Sequence, residues 1–560
     1  MASRSFRKMY INYLFILFSI IGHVCRCQEV GNPRVEILEG ELEGIVATSK
    51  EGKVYYSFQG IPYAEAPLGE LRFQPPVPKR SWSGVRNATQ EGWECAQIDF
   101  FSNIFIGAED CLFLNVHTPQ LPQGEVEKLL PVMFFIHGGG FIMGTGSSNM
   151  FSPDFIVAKD TILVTINYRL GAPGFLSLDI PAAPGNVGLR DQNLALKWVQ
   201  KNIRVFNGDP DNVTIFGISA GSASVDYHLL SPMSKGLFHK AILHSGTSLS
   251  PWARTRNHKK LLNSLLDSLE ITTDDPDQLL KDLQNVDAET LVTFAFTALD
   301  EEDIKNGESY AFVPIVEKTL PGVEAFLNAD PMELLISGQY NQVPTITGFV
   351  ENEGGLFKMT YGEYIENLIR REFIDYLPSS FNVDRVEFDV RMRETYNQTD
   401  DIEAVDAFLS DVCFLGGITE SLEYRLRHNF TDNYIYMFAY DGTINLIKAV
   451  LQIEGKGAYH SDDSTYLSDS IMISHITPTA QDSLVRSRMV QMWTDFAKTG
   501  NPTPELSDLI KEKWLPSGPD QMTILKIQEE LSMSDFPFSE RMDLWKSLYD
   551  ASANSQPRFT

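Results

Sequence analysis

The sequence predicts an α/β fold: one large domain with a mainly parallel central sheet covered by helices. Apolar runs of strand length recur at 111–116, 132–136, 162–167, 213–216, 241–244, 345–350, 434–438 and 522–527. They are continuous rather than alternating, which implies burial on both faces. Helical patterns such as 189–200 fall between several of them. The 560 residues would permit three or four domains by length alone. No Pro/Ser/Gly-rich linker, repeat or low-complexity tract divides them, so a single domain over 28–560 is expected.

The first 27 residues stand apart. Arg4, Arg7 and Lys8 precede an apolar run at 13–22, too short to span a bilayer, and Cys25 and Cys27 supply small side chains before Gln28. This is the pattern of a cleaved signal peptide, 1–27, and it predicts a secreted, extracellular product. The polar C-terminal sequence Ser-Gln-Pro-Arg-Phe-Thr offers no membrane anchor. The formal charge of −28 becomes about −32 once the segment's four Lys/Arg are removed. Such an acidic surface disfavours nucleic acid as a partner.

Three cysteines remain after cleavage. In an oxidising compartment the short spacing of Cys95 and Cys111 predicts a disulfide, leaving Cys413 as a buried thiol in an apolar helical setting. N-x-S/T sequons begin at Asn87, Asn212, Asn397 and Asn429, consistent with secretion. Asn212 lies just before a predicted strand, where access is poor.

In chain order, 35–47 and 54–58 alternate apolar and polar residues around turn residues, predicting antiparallel strands at the start of the sheet. The strand 132–136 runs into His137-Gly138-Gly139-Gly140-Phe141, where bare backbone N–H groups can face a ligand. The strand 213–216 runs into Gly217-Ile218-Ser219-Ala220-Gly221, and a helical pattern follows at 223–230. Strand, sharp turn and helix hold Ser219 exposed at a helix N-terminus, the arrangement of a nucleophile elbow. The segment 258–299 is acidic and helical, with Asp275 and Pro276 as cap and first helical residue, and is expected to lie over the sheet.

A serine hydroxyl needs a base, and the base needs a third group to fix its tautomer. In this arrangement acid and then histidine follow the serine. His228, His239 and His244 belong to the helix and strand just after the elbow, and His428 adjoins a sequon and is expected at the surface. His460 lies in a glycine-bearing loop after the strand 434–438, where such folds carry their sites, with His475 in reserve. For the acid, the strand 345–350 ends in Glu351-Asn-Glu353-Gly-Gly, and spacing leaves both carboxylates open. The N–H groups of the three glycines 138–140, with that of Ala220, are candidates for an oxyanion hole. No H-E-x-x-H, P-loop or C-x-x-C pair occurs in the mature chain, so no metal or cofactor is expected.

With these pieces together, the chain resembles the type-B carboxylesterase and cholinesterase family over nearly all of 30–545. The resemblance rests on Phe58-Gln-Gly-Ile-Pro-Tyr-Ala-Glu-Ala-Pro-Leu-Gly-Glu-Leu-Arg-Phe73, Glu109-Asp-Cys-Leu-Phe-Leu-Asn-Val116, His137-Gly-Gly-Gly-Phe141, Asn167-Tyr-Arg-Leu-Gly171 and Gly208-Asp-Pro210. It implies an α/β-hydrolase fold, with Ser219 as nucleophile, Glu353 as acid and His460 as base. It further implies Gly139, Gly140 and Ala220 as oxyanion donors and a Cys95–Cys111 disulfide. Two departures bear on substrate. Ile218 stands where the family usually has Glu, and Phe101 where cholinesterases have Trp, so a cationic choline ester is disfavoured. Ile218, Phe101 and Phe141 are the candidate pocket residues. The surrounding pattern is most similar to the secreted arthropod branch, whose members hydrolyse hormone, odorant and xenobiotic esters. A small-molecule ester is the expected partner; the oligomeric state is left open. The rival readings are a non-catalytic binding protein on the same fold and an esterase that mainly sequesters its ligand.

Overall fold

The computed structural model describes residues 31–99, 102–124, 128–300, 303, 309–356, 384–396, 401–428 and 431–553. Its central sheet is built from β1 (Ile45–Thr48), β2 (Val54–Pro62), β3 (Phe113–Thr118), β4 (Leu130–Ile136), β5 (Ile162–Ile166), β6 (Gly208–Ile218), β7 (Lys240–His244), β8 (Thr345–Val350), β9 (Asn433–Phe438), β10 (Thr523–Ile527) and β11 (Leu531–Asp535). The order across the sheet is β11-β10-β9-β8-β7-β6-β4-β5-β3-β2-β1. Ladders are parallel from β5 through to β10 and antiparallel at both margins.

The helices that matter here are α1 (Val187–Asn202), α2 (Ala220–Leu230), α3 (His258–Ser268), α4 (Pro276–Asn285), α5 (Ala288–Phe296), α6 (Asp401–Ser410), α7 (Gly416–His428), α8 (Ala480–Thr499) and α9 (Ser539–Ala553). Residues of α1 and α2, such as Leu196 and Val225, pack with Phe134, Ile215 and Leu243 on one face of the sheet. Residues of α8, such as Met489 and Trp493, pack with Phe135, Phe216 and Ile242 on the other. Side chains alternate between these two layers along each strand, which is why apolar residues run consecutively along the central strands, with a few buried polar residues such as Thr165, Thr214 and Thr347 among them. α8 opens with a reciprocal cap between Thr479 and Asp482 and ends at Gly500, whose φ of +78° suits glycine.

Two expectations are corrected and one strand is added. The first strands do not all join the central sheet: Arg34–Ile37 and Gly40–Glu43 form a separate three-stranded sheet with Val85–Asn87. The segment 258–299 does form helices, with the Asp275 carboxylate accepting from Asp277 N, but α4 and α5 cover the loops at 69–72 and 96–106 rather than the sheet. Arg72, bidentate to Glu109 at 2.6 Å, also donates to the carbonyls of Leu283 and Val286, and Val292 packs on Ala96 and Ile98. Strand β11 was not anticipated: its polar Leu-Ser-Met-Ser-Asp sequence suits a half-exposed edge and carries no apolar run.

Cys95 and Cys111 are disulfide-bonded and Cys413 is a buried free thiol, as expected. Burial pushes the Cys413 thiol up to about 12. Asn87 is exposed and Asn212 half-buried, its side-chain oxygen taken by Lys240 Nζ. Asn397, Asn429, Phe101 and 1–27 lie outside the described residues. Among the described residues no helix is long and apolar enough to cross a membrane.

Candidate active site

The site is assembled at the carboxyl ends of neighbouring strands. β6 ends at Ile218, and Ser219 follows with φ 59° and ψ −122°, a backbone conformation that only glycine adopts without strain. The surroundings over-determine it. Ser219 N donates to His244 O at 2.8 Å, and Ser219 O accepts from Ala223 N at 2.9 Å as α2 begins. The flanking glycines are steric requirements: a Cβ on Gly217 or Gly221 would collide with the Ile136 carbonyl of β4. Ala220 is the first residue of α2, so its N–H belongs to the turn that finds no carbonyl within the helix.

β4 leads into His137–Gly140. Gly139 and Gly140 have φ of +105° and +62°, and a Cβ on Gly140 would lie 2.7 Å from the Tyr310 ring. Gly138 needs the same clearance, 2.6 Å from Ile218 O and 3.2 Å from Ser219 Cβ. The glycine loop therefore lies against the serine turn. His137 fastens it: its Nδ1 is 2.8 Å from Gly138 O, its ring stacks on Tyr168 at 4.4 Å, and Tyr168 OH donates to His137 O. Phe141 is wholly buried against Phe175 and Tyr227. Ile218 is buried in the apolar layer that contains Phe151 and Phe216.

β8 ends at Val350, and Glu353 opens a single helical turn that folds its carboxylate back. Glu353 Oε1 accepts from Val350 N at 2.9 Å, and Oε2 lies 2.5 Å from His460 Nδ1. Both side chains are buried. A carboxylate only accepts, so Nδ1 donates and the lone pair is on Nε2. That atom is buried with no hydrogen-bond partner among the described residues. The two loops are also joined through the backbone, Asn352 N to Ala458 O at 2.9 Å. Asp462 braces the histidine loop by accepting from Tyr459, Ile447 and Lys448 N–H groups; burial pushes it up to about 7. Glu351 is half-buried and set beside Gly457, its carboxyl raised by burial.

The other candidate histidines lie elsewhere. His228 contacts Ser234 and Gln192, and His475 is exposed. His428 is half-buried rather than at the surface, its Nε2 3.0 Å from Leu335 O, because α7 packs against the helix Pro331–Ser337. His244 forms a second buried histidine–carboxylate contact that the sequence did not reveal, Nδ1 to Asp463 Oδ2 at 3.0 Å. Its Nε2 accepts from Trp493 Nε1, which can only donate, so this ring has no free base.

Sequence reasoning also missed the aromatic surroundings. The Phe414 ring is 4.5 Å from the His460 ring, Tyr310 lies over Gly140, and Trp252 stands 3.0 Å from the Cβ position of Gly246, itself against Ser219 O. Phe414 is carried by Asp411–Leu415, a π-helical turn between α6 and α7. These residues are brought in by separate, distant segments without a local pattern. Among the described residues no group of His, Cys, Asp and Glu is arranged to hold a metal ion.

The model of the carboxylesterase family matches residues 31–545. Esterase FE4 of Myzus persicae is 32% identical over 552 residues, covering 94% of each chain. Juvenile hormone esterase of Tribolium castaneum is 35% identical over 503 residues, covering 84% of each. The crystal structure of juvenile hormone esterase from Manduca sexta, with OTFP covalently attached, superposes with a TM-score of 0.82 at 31% identity, covering 93% of this chain and 100% of that one. The chain belongs to the carboxylesterase family, and it is a carboxylic ester hydrolase with the α/β-hydrolase fold.

Proposed function

We propose that this chain is a secreted serine esterase of small apolar esters, a single catalytic domain over 28–560 that follows a cleaved signal peptide at 1–27. The observation that carries the catalytic reading is the buried Glu353–His460 contact of 2.5 Å, with His460 Nε2 unpartnered among the described residues. His460 Nε2 takes the proton of Ser219 Oγ as that oxygen attacks the ester carbonyl; Glu353 holds the tautomer and offsets the imidazolium charge. The tetrahedral oxyanion accepts from the N–H groups of Gly139, Gly140 and Ala220. Collapse breaks the bond to the alcohol, which leaves with the proton from His460. Water then repeats the sequence on the acyl-serine and releases the acid.

Tyr310, Phe414 and Trp252 surround the reacting groups with apolar surface, and Ile218 brings no charge, which supports uncharged, apolar substrates. Similarity to two juvenile hormone esterases supports a hormone-type ester within that class. The purified protein is expected to release nitrophenol from a short-chain nitrophenyl ester with a burst, and an organophosphate to label Ser219. Ser219→Ala should lose both. Absence of turnover and of labelling in the wild type would sink the proposal. Sequencing the N-terminus of protein recovered from culture medium tests secretion and the cleavage site.

A further inference from the structure

We propose that Gln97 is a positioning residue for ester hydrolysis, holding the Gly138–Gly140 loop in place through its side-chain amide; this rests on the catalytic reading above. After Gly140 the chain reverses, with Ile142 N and Met143 N both donating to Gly139 O at 3.1 and 3.0 Å. Gly144 then returns beneath the loop so closely that a Cβ there would strike Gly138 O and the His137 ring. Any movement of Gly144 is therefore passed to Gly138 and its neighbours by direct contact.

Gln97 holds Gly144 by both backbone groups. Its Oε1 accepts from Gly144 N at 2.7 Å, and its Nε2 donates to Gly144 O at 3.1 Å. The second hydrogen of the amide goes to Cys95 O at 2.9 Å, at the disulfide to Cys111. One side chain thus pairs with a backbone residue as a neighbouring strand would. Gln97 is itself 3% exposed; its bond to Cys95 O is buried and its two bonds to Gly144 are partly buried, which limits competition from water. Met, of similar length, would fill the space and leave Gly144 N, Gly144 O and Cys95 O without the partner they have in Gln97. The loop keeps its His137 and Tyr168 ties when Gln97 is changed, so the expected result is a displaced loop in a folded protein.

Gln97→Met and the nearly isosteric Gln97→Glu test this in the full chain, with active sites counted by organophosphate labelling. Per labelled site, kcat on a nitrophenyl ester should fall about 10- to 100-fold with KM little changed, since oxyanion contacts form in the transition state. Inhibition by a trifluoromethyl ketone, which forms a tetrahedral adduct at the serine, should weaken in parallel. The Glu variant adds a sharper readout. As a carboxylate it cannot donate to Gly144 O, but protonated it offers one O–H. Its activity relative to wild type should therefore rise as pH falls. A lower melting temperature with wild-type kcat per labelled site would make Gln97 merely structural and overturn the proposal, as would a Glu-to-wild-type ratio flat with pH. A wild type that neither labels nor turns over would instead overturn the catalytic reading.

Discussion

Glu353 Oε2 and His460 Nδ1 are 2.5 Å apart, 107 residues distant in sequence, and both buried. Neither side chain could be left alone there: a buried carboxylate without a donor, or an imidazole N–H without an acceptor, would cost about 1–3 kcal/mol or more. Their loops are therefore placed by each other as well as by β8 and β9.

Glu353→Gln keeps the size of the acid but presents an amide, which can favour the wrong tautomer of His460. The expected outcome is a kcat lower by roughly 10³ to 10⁴ with little change in KM. Steady-state kinetics on a nitrophenyl ester checks it, and a loss below tenfold would count against the assigned role.

Gly140→Ala introduces a Cβ at φ +62° that presses on the Tyr310 ring. The N–H at this position should be displaced, lowering kcat about 10²- to 10³-fold, as loss of one oxyanion donor does. Pairing it with Tyr310→Ala, which clears the ring, should recover part of the loss if the contact rather than φ is responsible.

The disulfide closes a loop of sequence separation 16. Replacing Cys95 and Cys111 by Ser should lower stability by about 3 kcal/mol, readable as a shifted denaturant midpoint. Cys413→Ser should leave disulfide formation untouched, since that thiol is buried apart.

Burial lowers His117 to about 3, His137 to about 4 and His228 to about 3, from the ordinary histidine value of about 6.5. Between those values and 6.5 the unfolded chain binds protons that the folded protein refuses. Stability contributed by these neutral rings is complete above pH 6.5 and is lost as pH falls toward 4, at up to about 1.4 kcal/mol per pH unit for each. His228→Gln removes one titration and should flatten the slope of unfolding free energy against pH between 6 and 4.5 by about that amount.

Much of this was legible in the sequence because it is local. The strands β4, β6 and β8 are apolar runs that lead straight into His137–Gly140, Ser219 and the Glu351/Glu353 pair, so these could be named from neighbouring residues. His460, in a loop 22 residues beyond β9, was reached from chain order and its glycine-bearing surroundings. Spacing could not separate Glu351 from Glu353, since both sit on one turn; only the fold of that turn sends one carboxylate to His460 and the other toward Gly457. Gln97 on Gly144, Phe414 on His460 and Tyr310 on Gly140 were illegible for a different reason. Each contact joins segments separated by tens to hundreds of residues, and neither partner carries a mark of the other. The same holds for His244, which reads as the end of a buried strand until Asp463, Tyr436 and Trp493 gather around it.

The order of the strands has one more consequence. Ser219, Glu353 and His460 follow β6, β8 and β9, and β9 is itself flanked by β10 near the end of the chain. On the proposed assignment, a polypeptide that stops before residue 433 holds Ser219 and Glu353 but lacks both β9 and His460. On the catalytic reading proposed above, hydrolytic competence waits until β9 and the loop that carries His460 have been made and folded.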